Sequence, residues 1–509
     1  MTLPGPSPST AAPAPPPSPA GPRLVVVGAG VSGLVAALRL AQEHGGPAVE
    51  VLEASDRVGG LLAPAPEGLV PGLDVGAESL LARRPEAVEL VRSVGLGGRL
   101  VTPRTSAPLI LHDGRLHAVP GRTLLGVPAE PALLRPLLDD VEVARVEAEP
   151  RESHRPWEGE DASLAEAIGT RLGPAVLRRL VEPLLGGVYA GRVERLGVRA
   201  VMPALWPALR EGMSLVETVR RLRPPAPPTP ASPPEAVFAG LEGGVHQLAS
   251  ALARTLHGLG VTVRTGVRAA SLRPRTGGGW QVETGDGASR CADAVVLAVP
   301  SPVAAALLRD PVPAAARALG EVATADVAVV AVRLPAGTLP GALGSGVLVA
   351  DGGLGEVKAA TVSSRKWGWV QEAADGRDVV RLSLGRAGDG LVAGSDDDAL
   401  LAAALGGLQR LLGHAGADPA PVRALNADRD AVVTRWPQAL PQYDVGHLTR
   451  VAQVRAAVAG APAPLALAGS VLDGVGVAAC VATAGAAAAD VTARLREERP
   501  AWRREPRDG

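Results

Sequence analysis

Apolar positions along the chain change period several times, and each change predicts an element. Leu24 to Val27 is an uninterrupted apolar run without charge, as expected of a strand buried on both faces. From Leu34 to about Gln42 the apolar residues follow a helical period, and Val49 to Leu52 reads as a second strand ending in Glu53. Pro85 opens a helix to about Val94. Leu109–Leu111 and Leu116–Val119 flank Asp113-Gly114, a hairpin signal, and a loop runs from Pro120 to Pro131. Ala132 to Leu222 is helical in pattern, with Leu164, Ile168, Leu172, Val176, Leu180 and Leu184-Leu185 on one apolar face. A helix follows over Val245–Leu259, then strands near Val261–Arg264 and Val267–Leu272 and a buried strand over Ala294–Ala298. Further strands are expected at Ala328–Val332, Gly346–Ala350, Val357–Val362 and Val379–Leu384, packed on a helix over Asp397–Leu412. Leu465–Ala468 is a last strand, running into a glycine turn and a small-residue helix from about Val475.

The fold class that follows is α/β. A discontinuous Rossmann-like dinucleotide domain is assembled from residues 23–108, 236–301 and 431–495. Into it are inserted an α+β substrate domain, 109–130 and 302–430, and a helical subdomain, 131–222. Residues 1–22 read as a disordered Pro/Ala-rich leader, 223–235 as a Pro-rich linker that neither helix nor central strand tolerates, and 496–509 as a tail. At 509 residues the chain exceeds what one core sustains.

Candidate chemistry begins between the first strand and the first helix, at Gly28-Ala29-Gly30-Val31-Ser32-Gly33. Gly28 serves the tight turn, Gly30 lets a pyrophosphate approach the backbone, and Gly33 permits close helix–strand packing. The helix start adds free N–H groups and a partial positive charge. Glu53, at the end of the second strand, suits a ribose diol. A glycine hexad alone is a weak signal in a chain with 62 glycines; strand, helix, second strand and acid in register make it a strong one. Gly469 to Val477 repeats the device near the tail, where a glycine turn and a helix from near Val475 aim a second set of N–H groups at one point.

Composition narrows the classes. A net charge of −1 gives no support for nucleic-acid binding. Two cysteines, Cys291 and Cys480, suggest no disulfide framework and fit a reducing cytoplasm. No stretch reads as a transmembrane helix, because Leu465–Ala489 is interrupted by Asp473 and crowded with glycines. Peripheral membrane contact and oligomeric state are left open by the sequence. No Ser/His/Asp constellation, metal-ligand spacing or cysteine pair is visible.

Glu53-Ala54-Ser55-Asp56-Arg57-Val58-Gly59-Gly60 is an ExxxRxGG pattern that resembles the FAD-dependent superfamily of amine oxidases, phytoene desaturases and porphyrinogen oxidases. Gly76-Ala77-Glu78-Ser79, Val119-Pro120-Gly121-Arg122, Pro183 to Gly191, Ser363 to Trp367, Arg435 to Tyr443 and the Asp473-Gly-Val-Gly turn look like porphyrinogen oxidases of heme synthesis, in order, from about residue 23 to 495. The bacterial coproporphyrinogen III oxidase branch is the nearest in pattern. Departures are Leu472 where an aromatic is usual, Ala482-Thr483-Ala484-Gly485 where Ser-Gly-Arg is usual, and Gly191-Arg192-Val193-Glu194.

The resemblance implies FAD as cofactor and O₂ as electron acceptor, with hydrogen peroxide released and a porphyrinogen as substrate. Flavin contacts then fall on Gly28, Ala29, Gly30, Val31, Ser32, Gly33, Glu53, Ala54, Arg57, Gly60, Gly76, Ala77, Glu78, Ser79, Val267, Trp436, Ser470, Val475, Gly476 and Val477. No catalytic side chain is expected, since the chemistry lies in the cofactor. Carboxylate-bearing substrate calls for cations or pocket tyrosines, with Arg84, Arg122, Tyr189, Arg365, Lys366 and Tyr443 as candidates. Coproporphyrinogen III and protoporphyrinogen IX are scarcely separable at this level. A flavin amine oxidase is a more distant alternative, for which an aromatic content of 2% is poor stock. A non-catalytic flavin-binding partner of heme synthesis is the alternative from another class.

Overall fold

The computed structural model describes residues 21–105, 107–224, 236–350 and 352–498. The leader up to residue 20, most of the Pro-rich linker and the tail beyond 498 lie outside the described residues.

Five parallel strands form the first sheet, in the spatial order Thr262–Arg264, Val49–Leu52, Leu24–Val27, Ala294–Leu297, Leu465–Leu467. Three widely separated stretches of sequence therefore meet in one sheet. The charge-free run Leu24–Val27 has its explanation here. Leu24 and Val26 face a core shared with the helices Val31–His44, Gln247–Gly258 and Val477–Glu498. Val25 and Val27 face a second core shared with Ser301–Leu308, Pro313–Gly320 and His447–Ala459. A central strand covered on both faces has no position for a polar side chain.

On that second face lies a three-stranded antiparallel sheet, Ala269–Pro274, Trp280–Thr284 and Ser289–Ala292, anchored by Trp280, whose indole N–H donates to Pro464 O at 2.9 Å. The expected strand from Val267 begins at Ala269 instead; Val267 is already held by its N–H to Glu53 O.

A seven-stranded sheet is the second framework, ordered Ala431–Pro441, Thr324–Leu334, Asp378–Leu384, Val357–Val362, Gly346–Val349, Pro108–His112, Arg115–Ala118. One face packs on the helix Asp397–His414. Here the structure corrects the expected boundaries. Residues 431–441, assigned by sequence to the dinucleotide part, pair along Thr324–Leu334 as an edge strand of this sheet. Pro437 sits within that strand, and only an edge tolerates a residue that cannot donate to the ladder.

Between the frameworks lies the helical region. Leu164, Ile168, Leu172, Val176, Leu180 and Leu185 share one core as the spacing predicts, while Leu184 is half-buried. The helix carrying them is not continuous: Gly173, at φ +96°, divides it. The expected loop from Pro120 holds a short hairpin, Thr123–Leu124 with Val127–Pro128. Among the described residues no helix is long and apolar enough to cross a membrane.

Candidate flavin site

The first wall of the site is the turn that leaves Leu24–Val27. Gly28 has φ +100°, and a Cβ there would lie 2.3 Å from Ala298 O. A Cβ on Gly33 would lie 1.8 Å from Gly28 O, so the helix passes hard against the turn. Gly30 differs: a Cβ would meet only Gly60 Cα, at 4.0 Å. Gly30 is also the N-cap of Val31–His44 and offers no side chain to the first N–H groups of that helix. An open cradle lined by uncapped donors is what a pyrophosphate requires.

Glu53 closes the outer end. Its Oε2 accepts the Ala29 N–H at 2.7 Å, and Oε1 accepts the N–H and Oγ–H of Ser55 at 2.9 and 2.8 Å. Accounting for about four lone-pair positions on a carboxylate, one remains for a ligand hydroxyl. Gly59 and Gly60 lie back to back with the first turn, Gly59 N–H donating to Ala29 O at 2.8 Å. Arg57 fixes this loop through Gly60 O at 2.7 Å and lies 5.6 Å over the Trp436 ring.

Trp436 forms the floor, its indole N–H bonded to Val75 O at 3.0 Å. Of the Gly76–Ser79 stretch, Ala77 and Ser79 line the cavity, whereas Gly76 and Glu78 turn toward the second sheet. Gly76 O accepts from Arg381, and the Glu78 carboxylate accepts from Lys366 and Arg381, each at 2.5 Å. Burial would raise the Glu78 pKa, but these two cations and their hydrogen bonds hold it down to about 2. Lys366 also donates to Ser79 Oγ at 2.9 Å. Arg381 escaped the sequence reading, since nothing local marks it; it is placed by strand pairing alone.

The last wall is Gly469 to Val477. The helix starts at Val477, two residues later than expected, and a Cβ on Gly476 would meet nothing within 4 Å. Tyr443 pins the preceding turn: its hydroxyl donates to Ser470 O and accepts the Gly474 N–H, both at 2.6 Å. The Tyr443 ring stacks on buried His447, centroids 3.8 Å apart, with Tyr189 at 5.4 Å. Burial, with Arg450 beside it, pushes the His447 pKa down to about 4; burial pushes the Tyr189 hydroxyl up to about 12.

These walls enclose one cavity of about 580 Å³. Gly28, Gly30, Val31, Ser32, Glu53, Ala54, Arg57, Gly60, Ala77, Ser79, Val267, Trp436, Ser470, Val475, Gly476 and Val477 all line it. Ala29, Gly33, Gly76 and Glu78 stand behind it and hold the lining in place. Sequence reading missed Ala298 to Ser301, Thr324 and Pro437 to Ala439 in the lining. The first group had a readable signal, because ligands of parallel sheets sit beyond the carboxyl ends of strands.

Of the substrate candidates, Tyr189 and Tyr443 are brought together, ring centroids 5.4 Å apart, and the cations are engaged elsewhere. Arg84 is exposed and 3.8 Å from Glu86. Arg122 bonds Arg223 O and pairs with Glu130, and Arg365 is spent on Leu339 O and Pro340 O. Lys366 is engaged by Glu78, and the Tyr443 hydroxyl by main chain. None of these, nor Tyr189, lines the cavity.

Known proteins resemble this chain along nearly its whole length. The profile of flavin-containing amine oxidoreductases matches residues 31–492. Coproporphyrinogen III oxidase of Mycobacterium tuberculosis (strain H37Rv) is 40% identical over 478 residues, 92% of this chain and 97% of its own. Protoporphyrinogen oxidase of Macaca fascicularis is 27% identical, over 92% of this chain and 98% of its own. A solved structure from Exiguobacterium sp. 255-15, provisionally named a protoporphyrinogen oxidase, superposes with a TM-score of 0.78 at 29% identity, covering 93% of this chain and 99% of that one. FAD is the dinucleotide of this fold, and the chain belongs to the family of flavin-containing amine oxidoreductases.

Proposed function

We propose that the protein oxidises coproporphyrinogen III to coproporphyrin III, removing six hydrogens in three rounds while three O₂ become three H₂O₂. The observation that carries this reading is the 40% identity to a coproporphyrinogen III oxidase along nearly the whole chain. Bound FAD supplies the redox chemistry, taking electrons from the porphyrinogen and passing them to O₂.

The protein's part is to bind, orient and exclude water. The Val31 and Ser32 N–H groups, with Gly30 beneath them, would hold the pyrophosphate, and Glu53 would accept a ribose hydroxyl on the remaining lone pair of Oε2. The N–H groups of Val475, Gly476 and Val477, which line the cavity, would offer donors to the negative charge that a reduced flavin carries. Trp436 and Ala77 supply apolar wall. The ionised Glu78 ties Lys366 and Arg381 together and so fixes Ser79. No side chain is assigned as acid or base, because the departing proton comes from a pyrrole nitrogen conjugated with the reacting carbon.

The test is anaerobic mixing of the yellow holoprotein with coproporphyrinogen III, then admission of air. Bleaching of the flavin followed by porphyrin fluorescence is expected; an unbleached flavin overturns the reading. A second reading, protoporphyrinogen IX as substrate, is favoured by the Macaca fascicularis and Exiguobacterium relatives. The ratio of kcat/KM for the two porphyrinogens decides between them, and the first reading requires it to favour coproporphyrinogen III.

A further inference from the structure

The edge strand Ala431–Pro441 is interrupted where it passes the flavin cavity. Its ladder with Thr324–Leu334 sets Val327 opposite Trp436 and resumes with Ala325 opposite Leu440. Asp326 alone therefore faces Pro437, Gln438 and Ala439, and all three of those residues line the cavity. A bulge of this kind re-aims side chains at the rim of a site.

Gln438 is the strained member. Its φ is +51°, a left-handed value that glycine takes freely and a residue with a Cβ takes at a cost. Asp326 holds it there, Oδ1 accepting the Gln438 N–H at 2.7 Å. Asp326 is itself closely backed, since a Cβ on Gly385 would lie 2.4 Å from its carbonyl oxygen. The Gln438 side chain is exposed, and its carboxamide hydrogen-bonds to no protein group among the described residues. Backbone strain that the surroundings impose collects at ligand sites.

Position along the cavity says which part of FAD the carboxamide meets. Trp436 belongs to the front wall, with Arg57 5.6 Å from its ring. Tyr443, farther along the same segment, pins the rear turn through Ser470 O and the Gly474 N–H. Gln438 lies between them. With the pyrophosphate in the front cradle and the flavin ring at the rear N–H groups, the part of FAD that spans the interval is the ribityl chain. Its hydroxyls each donate and accept, and a carboxamide offers both N–H donors and a carbonyl acceptor. Other polar side chains of the lining are already engaged: Glu53 by Ala29 and Ser55, Arg57 by Gly60 O, and Ser79 by Lys366.

We propose that Gln438 is a cofactor-binding residue that holds the ribityl hydroxyls of FAD, with Asp326 as the positioning residue behind it. This rests on the placement of FAD given above and is independent of which porphyrinogen is oxidised.

The experiment measures dissociation of FAD, and of FAD analogues that each lack one ribityl hydroxyl, by the flavin fluorescence that returns on release. The proteins are wild type, Gln438→Ala, Asp326→Ala and Asp326→Asn. Wild type is expected to bind at least one analogue about 3- to 10-fold more weakly than FAD, the effect of a neutral hydrogen bond. Gln438→Ala should bind FAD more weakly by the same factor and that analogue no worse than FAD. Asp326→Ala, which frees the bulge, should behave like Gln438→Ala. Asp326→Asn, whose Oδ1 still accepts the Gln438 N–H, should behave like wild type. FAD affinity in Gln438→Ala within about 1.5-fold of wild type overturns the proposal, being less than a hydrogen bond contributes. Gly30→Val, run alongside, separates the two ideas. If it retains FAD, the placement of the cofactor has failed; if it is colourless while Gln438→Ala discriminates among the analogues as wild type does, the ribityl contact alone is overturned.

Discussion

The front and rear walls of the flavin cavity offer the same groups, uncapped helix N–H donors behind glycine, but are held in place by different means. The front wall, Gly28 to Gly60, is fixed within one local βαβ unit, by backbone against backbone where Gly33 meets Gly28 and Gly59 meets Ala29, and by the nearby Glu53 carboxylate on the Ala29 N–H. The rear wall, Gly469 to Val477, is held by a side chain from elsewhere, Tyr443, itself seated in the core of the helical region. The front wall should therefore fail all at once, and the rear wall by degrees.

Within the front wall, two glycines break differently. Gly33→Val puts a Cβ 1.8 Å from Gly28 O, a backbone atom that no side-chain rotation can move, with the Ala298 Cβ at 3.4 Å. Loss of soluble folded protein is expected. At Gly30 an added Cβ meets no protein atom closer than 4.0 Å, so Gly30→Val instead fills the cradle. It should fold, by circular dichroism, yet bind FAD at least roughly a hundredfold more weakly, about 3 kcal/mol, and purify colourless. A yellow Gly30→Val protein would sink the placement of the pyrophosphate.

Glu78 tests the sheet that supports the floor. Glu78→Gln leaves Lys366 and Arg381 without their shared carboxylate, at an expected cost of about 3–5 kcal/mol in unfolding free energy. Because the folded pKa lies below the ordinary 4.5, its stabilisation is complete above that value and is lost as pH falls toward about 2. Acid unfolding of wild type in that window, with a flatter profile in Glu78→Gln, is the measurement.

The same contrast separates what the sequence disclosed from what it concealed. The front wall was legible because its parts lie within about forty residues and each glycine has a local mechanical reason. The rear turn was legible as a helix start, but not the hydroxyl that holds it, which comes from a tyrosine that sequence offered as a substrate contact. Arg381 and the edge strand Ala431–Pro441 were hidden for a common reason: strand pairing between distant segments leaves no periodic mark. The main-chain carbonyls that Arg122 and Arg365 serve were likewise invisible, because an arginine beside a motif carries no mark of which oxygen it will meet.

Tyr443→Phe loosens the rear wall while keeping the ring that stacks on His447 and Tyr189. Two hydrogen bonds are lost, and Ser470 O and the Gly474 N–H are left without that partner, worth about 1–3 kcal/mol together. Weakening of FAD binding by roughly tenfold is expected, with the helical signal unchanged. Unaltered FAD affinity would mean that the turn holds its shape without the hydroxyl.

The smallest effect at neutral pH, and the one that grows with acid, belongs to His447. Its folded pKa is depressed to about 4 from an ordinary 6.5, so the unfolded chain takes up the proton first. Stability is unaffected well above pH 6.5, declines as pH falls through that value, and levels off below about 4. Between pH 7 and pH 5 the loss comes to about 2 kcal/mol by this linkage. His447→Phe keeps an aromatic ring against Tyr443 and has no proton to take up. Wild type and variant should therefore unfold at similar denaturant concentrations at pH 7, with the variant ahead by about 2 kcal/mol at pH 5. Since the His447 ring backs the tyrosine that pins the rear turn, FAD release should follow the same pH curve in wild type and flatten in the variant; parallel curves for the two proteins would show that some other group governs the acid side.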